Sequence, residues 1–476
     1  MQRQPSFKPV NSRPVGRRAW LPLAIGGGLA AIVVCAAAFA VAAFFWDPNV
    51  PKDDRPSTPG GVVVNFVTAT PTPAGGTSPT VALPSPVAQD TPAPVAQDTP
   101  APTVQPVENT PGAVATATPP PTQEPTPIEQ PTPTPMPPPT FAYGIQVDPS
   151  GDPREIIGHL NTLGMKWVKF QLSWKETEPQ QGIYNWDEWD RLILTYRQAG
   201  FNILLSVVKA PDWARPANTD LSQEGPPAKP GDYARFVGEM AQRYRGGVQA
   251  IEVWNEQNLA REGGGSPMPP ANYIALLTAA HRAIKAADPN IIVVSGAPTP
   301  AGDVPGAAID DINYLSAMYA AGLKNVSDAI GVHPSGYNCP ATGDWQSVTD
   351  PSAGFRGPFD NRHHSWCFRG TMEGYRNVMV ANGDTNKLLW PTEFGWAVSS
   401  TPQINYEYAA DNTRAEQAQW IPEAFQQAKQ WGWAGPMFLW NMNYGITRPG
   451  SEQAAFSILT PEGPTPAYQA LAGIAK

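Results

Sequence analysis

Two glutamates in this chain stand where a carboxylate is costly. Glu256 lies in Ile251-Glu252-Val253-Trp254-Asn255-Glu256-Gln257-Asn258, and Glu393 in Trp390-Pro391-Thr392-Glu393-Phe394-Gly395-Trp396. A carboxylate among apolar and aromatic neighbours loses solvation, so it must pair, titrate at a raised pKa, or work. Hydrolysis of a glycosidic bond needs two such groups facing each other. One acid protonates the leaving oxygen, and a second carboxylate attacks the anomeric carbon or activates water. The acid must keep its proton near neutral pH, which calls for burial or a like-charged neighbour. A separation of about 5–5.5 Å specifies retention of configuration and about 6.5–9.5 Å inversion, a distance the sequence does not supply. Taken singly, each glutamate also fits a plain ion pair at a strand or helix end. Glu252 shares strand parity with Glu256 and is expected to point inward in support.

The elements that must position these residues are read from 141–476, where short apolar runs alternate with amphipathic stretches. Such alternation is the pattern of repeated βα units and a parallel sheet. Strands are expected at 141–147, 167–172, 202–208, 250–255, 291–296, 329–334, 388–394 and 437–442. Helices between them include 186–199, closed by Gly200, and 271–287, ending before Asp288-Pro289. Glycine just after a helix and proline just beyond one are stop signals. Eight strands with intervening helices in one domain of roughly 335 residues fit an α/β (β/α)8 TIM barrel. An open doubly wound sheet is the rival, but no GxGxxG follows the first strand. In a barrel the fourth and seventh strands lie on opposite sides, and working residues gather where strands end. The two glutamates would then face each other across its mouth.

Upstream, residues 1–19 carry Arg3, Lys8, Arg13, Arg17 and Arg18 without an acid, and 20–46 is an unbroken apolar run flanked by Trp20 and Trp46. That run is long enough to span about 30 Å of hydrocarbon, and the preceding positive charge places the N-terminus in the cytoplasm. A transmembrane signal anchor is expected, with the rest of the chain outside; the alternative is secretion after cleavage near Ala38-Phe39-Ala40. Residues 47–140 are rich in proline and threonine, repeat VAQDTPAP at 87–94 and 95–102, and offer almost no aromatic residue to bury. They are expected to form a disordered stalk.

The formal net charge of -9 argues against nucleic acid as a partner. Of three cysteines, Cys35 falls in the apolar run, leaving Cys339 and Cys367 as one candidate pair in a long loop. A disulfide there and free thiols are equal expectations. No CxxC or HExxH occurs, and His363 and His364 are adjacent rather than spaced for a helical site, so neither metal nor cofactor is expected. The loop 338–370, with Arg362, His363, His364 and Trp366, is read as a cleft wall or as solvated filler.

WNEQN on the fourth strand and TEFGW on the seventh resemble the signatures of clan A of the glycoside hydrolases, which includes families 5 and 39. The passage LSWKETEPQQGIYNWDEWDRLI at 172–193 is similar to that clan's segment after the second strand. The resemblance implies a retaining glycosidase, with Glu256 as acid/base, Glu393 as nucleophile and Asn255 bonding the sugar 2-hydroxyl. It also implies His333 and Tyr337 as a strand-six pair, with Tyr337 touching the nucleophile, and Trp440 as the floor of the subsite for the cleaved sugar. The chain departs from the clan's pattern at Lys169, where many members carry arginine, and at VVKAPDW, which lacks a histidine after the third strand. Those departures leave the sugar open. An oligo- or polysaccharide is the implied partner, with no obligate protein partner. Two other readings stand beside it: a non-catalytic carbohydrate-binding protein on a degenerate barrel, and a surface spacer or scaffold.

Overall fold

The computed structural model describes residues 140–347 and 363–476. The expected tail at 1–19, anchor at 20–46 and nearly all of the stalk at 47–140 lie outside the described residues, as does 348–362 of the long loop, Arg362 included. Among the described residues, no helix is long and apolar enough to cross a membrane.

The strands are β1 Ala142–Gln146, β2 Trp167–Ser173, β3 Asn202–Val208, β4 Ala250–Val253, β5 Ile292–Ser295, β6 Ile330–Val332, β7 Leu389–Pro391 and β8 Pro436–Leu439. The main helices between and after them are α1 Pro153–Thr162, α2 Asp187–Gln198, α3 Pro230–Arg243, α4 Pro270–Ala287, α5 Asp311–Ala320, α6 Phe368–Ala381, α7 Arg414–Trp431 and α8 Pro466–Gly473. Parallel pairing runs β5-β4-β3-β2-β1-β8, with β6-β7 as a second parallel pair. Single parallel bridges, Val294 to Ala329 and Leu389 to Ala434, join that pair to its neighbours at both ends. The result is a curled parallel sheet with helices outside, resembling a (β/α)8 barrel.

Local chemistry explains the elements. Strands buried on both faces read as continuous apolar runs, and NILLSVV of β3 is buried at six of its seven positions. Asp152 caps α1 by accepting from the Arg154 amide, Pro153 opens the helix, and Thr413 with Glu416 forms a capping box on α7. Gly200 (φ 85°) and Gly432 (φ 69°) follow α2 and α7 in the left-handed conformation that glycine tolerates.

Side chains alternate across a strand, so the interior is built in layers two residues apart. One layer is apolar: Trp167, Leu204, Ala250, Val294, Ala329, Trp390 and Phe438 pack together. Two residues further along their strands come Lys169, Ser206, Glu252 and Thr392, all fully buried and polar. This change from a greasy floor to a charged layer begins the site.

Candidate active site

β4 stops at Val253, earlier than the expected 255, because Trp254 (φ 73°) and Glu256 (φ 42°) adopt left-handed backbone. A strand cannot continue through such residues, and the turn throws Glu256 into the mouth. Each neighbour is pinned. The Trp254 indole donates to the Glu262 carbonyl (3.2 Å), Gln257 to the Gly296 carbonyl (2.8 Å), and Asn258 to the Thr299 and Ile309 carbonyls (2.9 and 3.0 Å). The Glu256 amide donates to the Ala297 carbonyl at 3.0 Å. β7 likewise ends at Pro391 and releases Thr392 and Glu393.

The two glutamates converge. One oxygen of each and a ring nitrogen of His333 lie within 4.8 Å of one another. His333 Nδ1 is 3.1 Å from Glu256 Oε1 and 3.8 Å from Glu393 Oε2. The Lys169 ammonium is 2.8 Å from Glu393 Oε1 and 3.3 Å from Glu252 Oε2. Thr392 Oγ1 donates to Glu252 Oε1 at 2.6 Å. Arg261, on the short turn Ala260–Gly263 after β4, bonds Glu256 Oε2 through its guanidinium.

These contacts set the charge states. Burial lowers the His333 imidazole and the Lys169 ammonium, but the carboxylates around each outweigh it and raise both. Burial would raise the Glu256 carboxyl; the Arg261 charge and the His333 hydrogen bond overcome it and hold the group well below the usual carboxylate range. The sequence expectation of an acid that keeps its proton near neutral pH is therefore reversed here. The cause is a cation that sequence spacing did not reveal.

Asn255 is buried and its Oδ1 lacks a partner among the described residues, as does Nε2 of His333; the amide oxygen can accept from a bound hydroxyl, and the ring nitrogen can donate or accept according to its protonation. Trp440 is half-buried, with its ring 5.2 Å from that of Tyr444. Tyr337 departs from the role implied by the resemblance. With φ 48° its ring stacks on Trp366 at 4.2 Å and its hydroxyl donates to the Pro300 carbonyl (3.2 Å) rather than to Glu393. Trp174 and Trp396 are fully buried core residues. Beyond Arg261, sequence reasoning missed Tyr406, whose hydroxyl faces the Arg261 charge, and Tyr444, which accepts from Gln146 (3.2 Å) and feels the Glu393 carboxylate. Tyr444 also lines a groove of about 510 Å³ with Gln171, Glu176, Asn185, Glu188 and Arg448.

Cys339 and Cys367 are disulfide-bonded, with Cα atoms 5.3 Å apart. This staple carries His363 and His364 onto the start of α5. Both Nε2 atoms approach Asp310 Oδ2 (3.1 and 2.8 Å), and Ser365 Oγ bonds Asp311 (2.6 Å) and lies 2.6 Å from His364 Nδ1. The adjacent histidines thus share one carboxylate with which their spacing gave no reason to pair them. The Ser365 amide donates to His363 Nδ1 (3.2 Å), which puts the proton of a neutral ring on the nitrogen facing Asp310. That tautomer suits a hydrogen bond rather than metal ligation.

No protein-family model matches the chain, and no curated protein matches it. Among solved structures it is similar to a family 39 glycoside hydrolase from the gut symbiont Bacteroides cellulosilyticus WH2 (TM-score 0.52, 19% identity, 70% of this chain and 62% of that one). It is also similar to a GH39 enzyme from Xanthomonas axonopodis pv. citri (TM-score 0.50, 18% identity, 71% of this chain and 67% of that one). The chain thus spans somewhat less than two thirds of the first structure's length. At these identities the likeness concerns the fold, an α/β curled parallel sheet shared with glycoside hydrolases.

Proposed function

We propose that this protein is a retaining glycoside hydrolase that cleaves O-glycosidic bonds of oligo- or polysaccharides outside the cytoplasm. The observation that carries the reading is the convergence of Glu256 and Glu393, from the ends of β4 and β7, with oxygens within 4.8 Å and His333 between them. Facing oxygens no more than 4.8 Å apart are compatible with the roughly 5–5.5 Å carboxyl separation of retaining enzymes, which supports that reading. Glu393, steadied by Lys169, attacks the anomeric carbon. Glu256 protonates the leaving oxygen and then deprotonates the water that breaks the glycosyl-enzyme. Asn255 bonds the 2-hydroxyl, His333 orients both carboxylates, and Trp440 offers an aromatic face to the sugar ring. The Cys339–Cys367 disulfide and the apolar run at 20–46 support an extracytoplasmic, membrane-tethered setting.

The test replaces each glutamate by glutamine and assays aryl glycosides and a polysaccharide panel. Each variant is expected to lose about 10²–10⁴-fold or more in kcat/KM. Azide should rescue Glu393→Ala with inverted anomeric configuration. Undiminished turnover in either glutamine variant would overturn the roles. Saturable glycan binding without hydrolysis in the unaltered protein would instead establish the non-catalytic reading, which the Arg261 pair at Glu256 favours.

A further inference from the structure

Glu256 is half of a contact that opposes its proposed work. The guanidinium on its Oε2 belongs to a side chain 60% exposed, against 10% for the glutamate. Arg261 thus stands at the rim with its inner edge on the acid. Its turn is tied at the start by the Leu259 amide, which donates to the Glu256 carbonyl (2.9 Å). It runs out through Gly263, Gly264 (φ 84°) and Gly265 (φ 100°), the last two in conformations that side chains oppose. Across the rim stands Tyr406, from the segment between β7 and α7. Arg215 packs beneath Gly225 and Gly264, and Lys209 is 3.6 Å from Glu224. Glu262 lies 4.0 Å from Arg261 and is itself pushed by burial to about 7.

We propose that Arg261 is a specificity-determining residue that selects a saccharide bearing a carboxylate beside the scissile bond, the substrate's anion drawing the guanidinium off Glu256. This rests on the glycosidase reading and names its substrate class. A general acid must be protonated before it can donate, and an ion pair with arginine opposes protonation. A neutral sugar hydroxyl can accept from a guanidinium but brings no charge to replace the one Glu256 gives up. A uronate carboxylate matches the guanidinium fork in charge and geometry. Lys169 and His333 are buried and cannot leave their carboxylates, whereas the exposed Arg261 can swing outward on its glycine-flanked turn. With a sugar carboxylate engaged, Glu256 takes up its proton and the site is ready to act.

The experiment compares uronate-containing oligosaccharides with their methyl-esterified counterparts, using the full chain and its R261Q and R261K variants. For the unaltered protein, kcat/KM should favour the uronate by about 30-fold, the size of one charge-assisted pair. R261Q should bring that ratio to near unity and raise kcat/KM on the ester, while R261K should keep most of the preference. In parallel, calorimetry on E393Q and E393Q/R261Q reads binding without turnover. The uronate should bind E393Q about tenfold or more tighter than the ester, and the double variant should not distinguish them. Equal handling of both substrates by the unaltered protein, or a preference surviving R261Q, overturns the proposal. Selective binding lost with Arg261 but without hydrolysis by the unaltered protein leaves the anion site standing and sinks the glycosidase reading. Hydrolysis without selectivity does the reverse.

Discussion

Removing Lys169 tests the charged layer beneath the site most directly. Its ammonium is fully buried, 2.8 Å from Glu393 and 3.3 Å from Glu252, and Glu252 is equally buried. In an effective dielectric of about 20 those attractions amount to about 6 and about 5 kcal/mol, before the desolvation of the three groups is subtracted. Lys169→Met keeps nearly the same volume, so the cavity term is small and the effect is electrostatic. Glu393 has some access to solvent, but Glu252 is held at Oε1 by Thr392 and cannot turn toward water. The substitution strands a buried charge, which typically costs about 3–5 kcal/mol. For a folded region of roughly 335 residues that corresponds to a fall of about 4–7 °C in Tm. Adding Glu252→Gln should return at least about 2 kcal/mol, because the stranded charge is gone. Urea unfolding of the two single variants and the double variant closes the cycle. A Lys169→Met protein within about 1 kcal/mol of the parent, or a double variant whose cost is the sum of the singles, would refute the reasoning.

The staple and the aspartate pair give further tests. Replacing Cys339 and Cys367 by serine releases a loop with a sequence separation of 28 and should cost up to about 3.6 kcal/mol by the chain-entropy estimate; urea midpoints unchanged by reductant in the parent would contradict it. Burial raises the Asp311 carboxyl to about 6, against a Ser365 hydrogen bond that lowers it. Since this exceeds the unfolded value of about 3.9, its contribution is complete in acid and is lost as pH rises through about 6, at a cost approaching 3 kcal/mol by pH 8. Asp311→Asn should flatten the fall in stability between about pH 4 and 7, and identical pH dependence in parent and variant would reject that origin. Trp440→Ala should lower kcat/KM by about tenfold or more while shifting Tm little, since the ring is only half-buried; unchanged kinetics would remove it from the site.

How much of this was legible in the sequence differs from residue to residue. The strands were readable because β3 and its neighbours are buried on both faces and so are apolar throughout. Their C-terminal ends were read two or three residues too long at β4, β7 and β8, because alternation says nothing of where the backbone turns left-handed, as at Trp254. Glu256 and Glu393 stood out because carboxylates in apolar strands are costly wherever they lie. Lys169 stood out as a departure from the clan's arginine, and its sharing between Glu252 and Glu393 was not legible. Arg261 was invisible. It follows Glu256 by five residues in a polar, glycine-rich stretch, and whether such a side chain folds inward depends on the turn at Gly263–Gly265. Tyr337 failed for a related reason: its positive φ aims the ring at Trp366 and Pro300, away from the nucleophile.

For the proposed glycosidase, the same geometry decides where activation must occur. Three carboxylates, Glu252, Glu256 and Glu393, face three cationic groups, Lys169, His333 and Arg261. In this arrangement each carboxylate has a cationic partner, and Arg261 and His333 together oppose protonation of Glu256. If Glu256 is the general acid proposed above, it can protonate a leaving oxygen only once a cation withdraws from it. Lys169 is enclosed, and His333 is buried between both glutamates, so moving either would strand charge in the interior. Arg261 alone of the three has a mostly exposed side chain. On the proposed glycosidase reading, control of the acid therefore falls to the least buried of its neighbours, and whatever binds that guanidinium sets the conditions under which the two glutamates act.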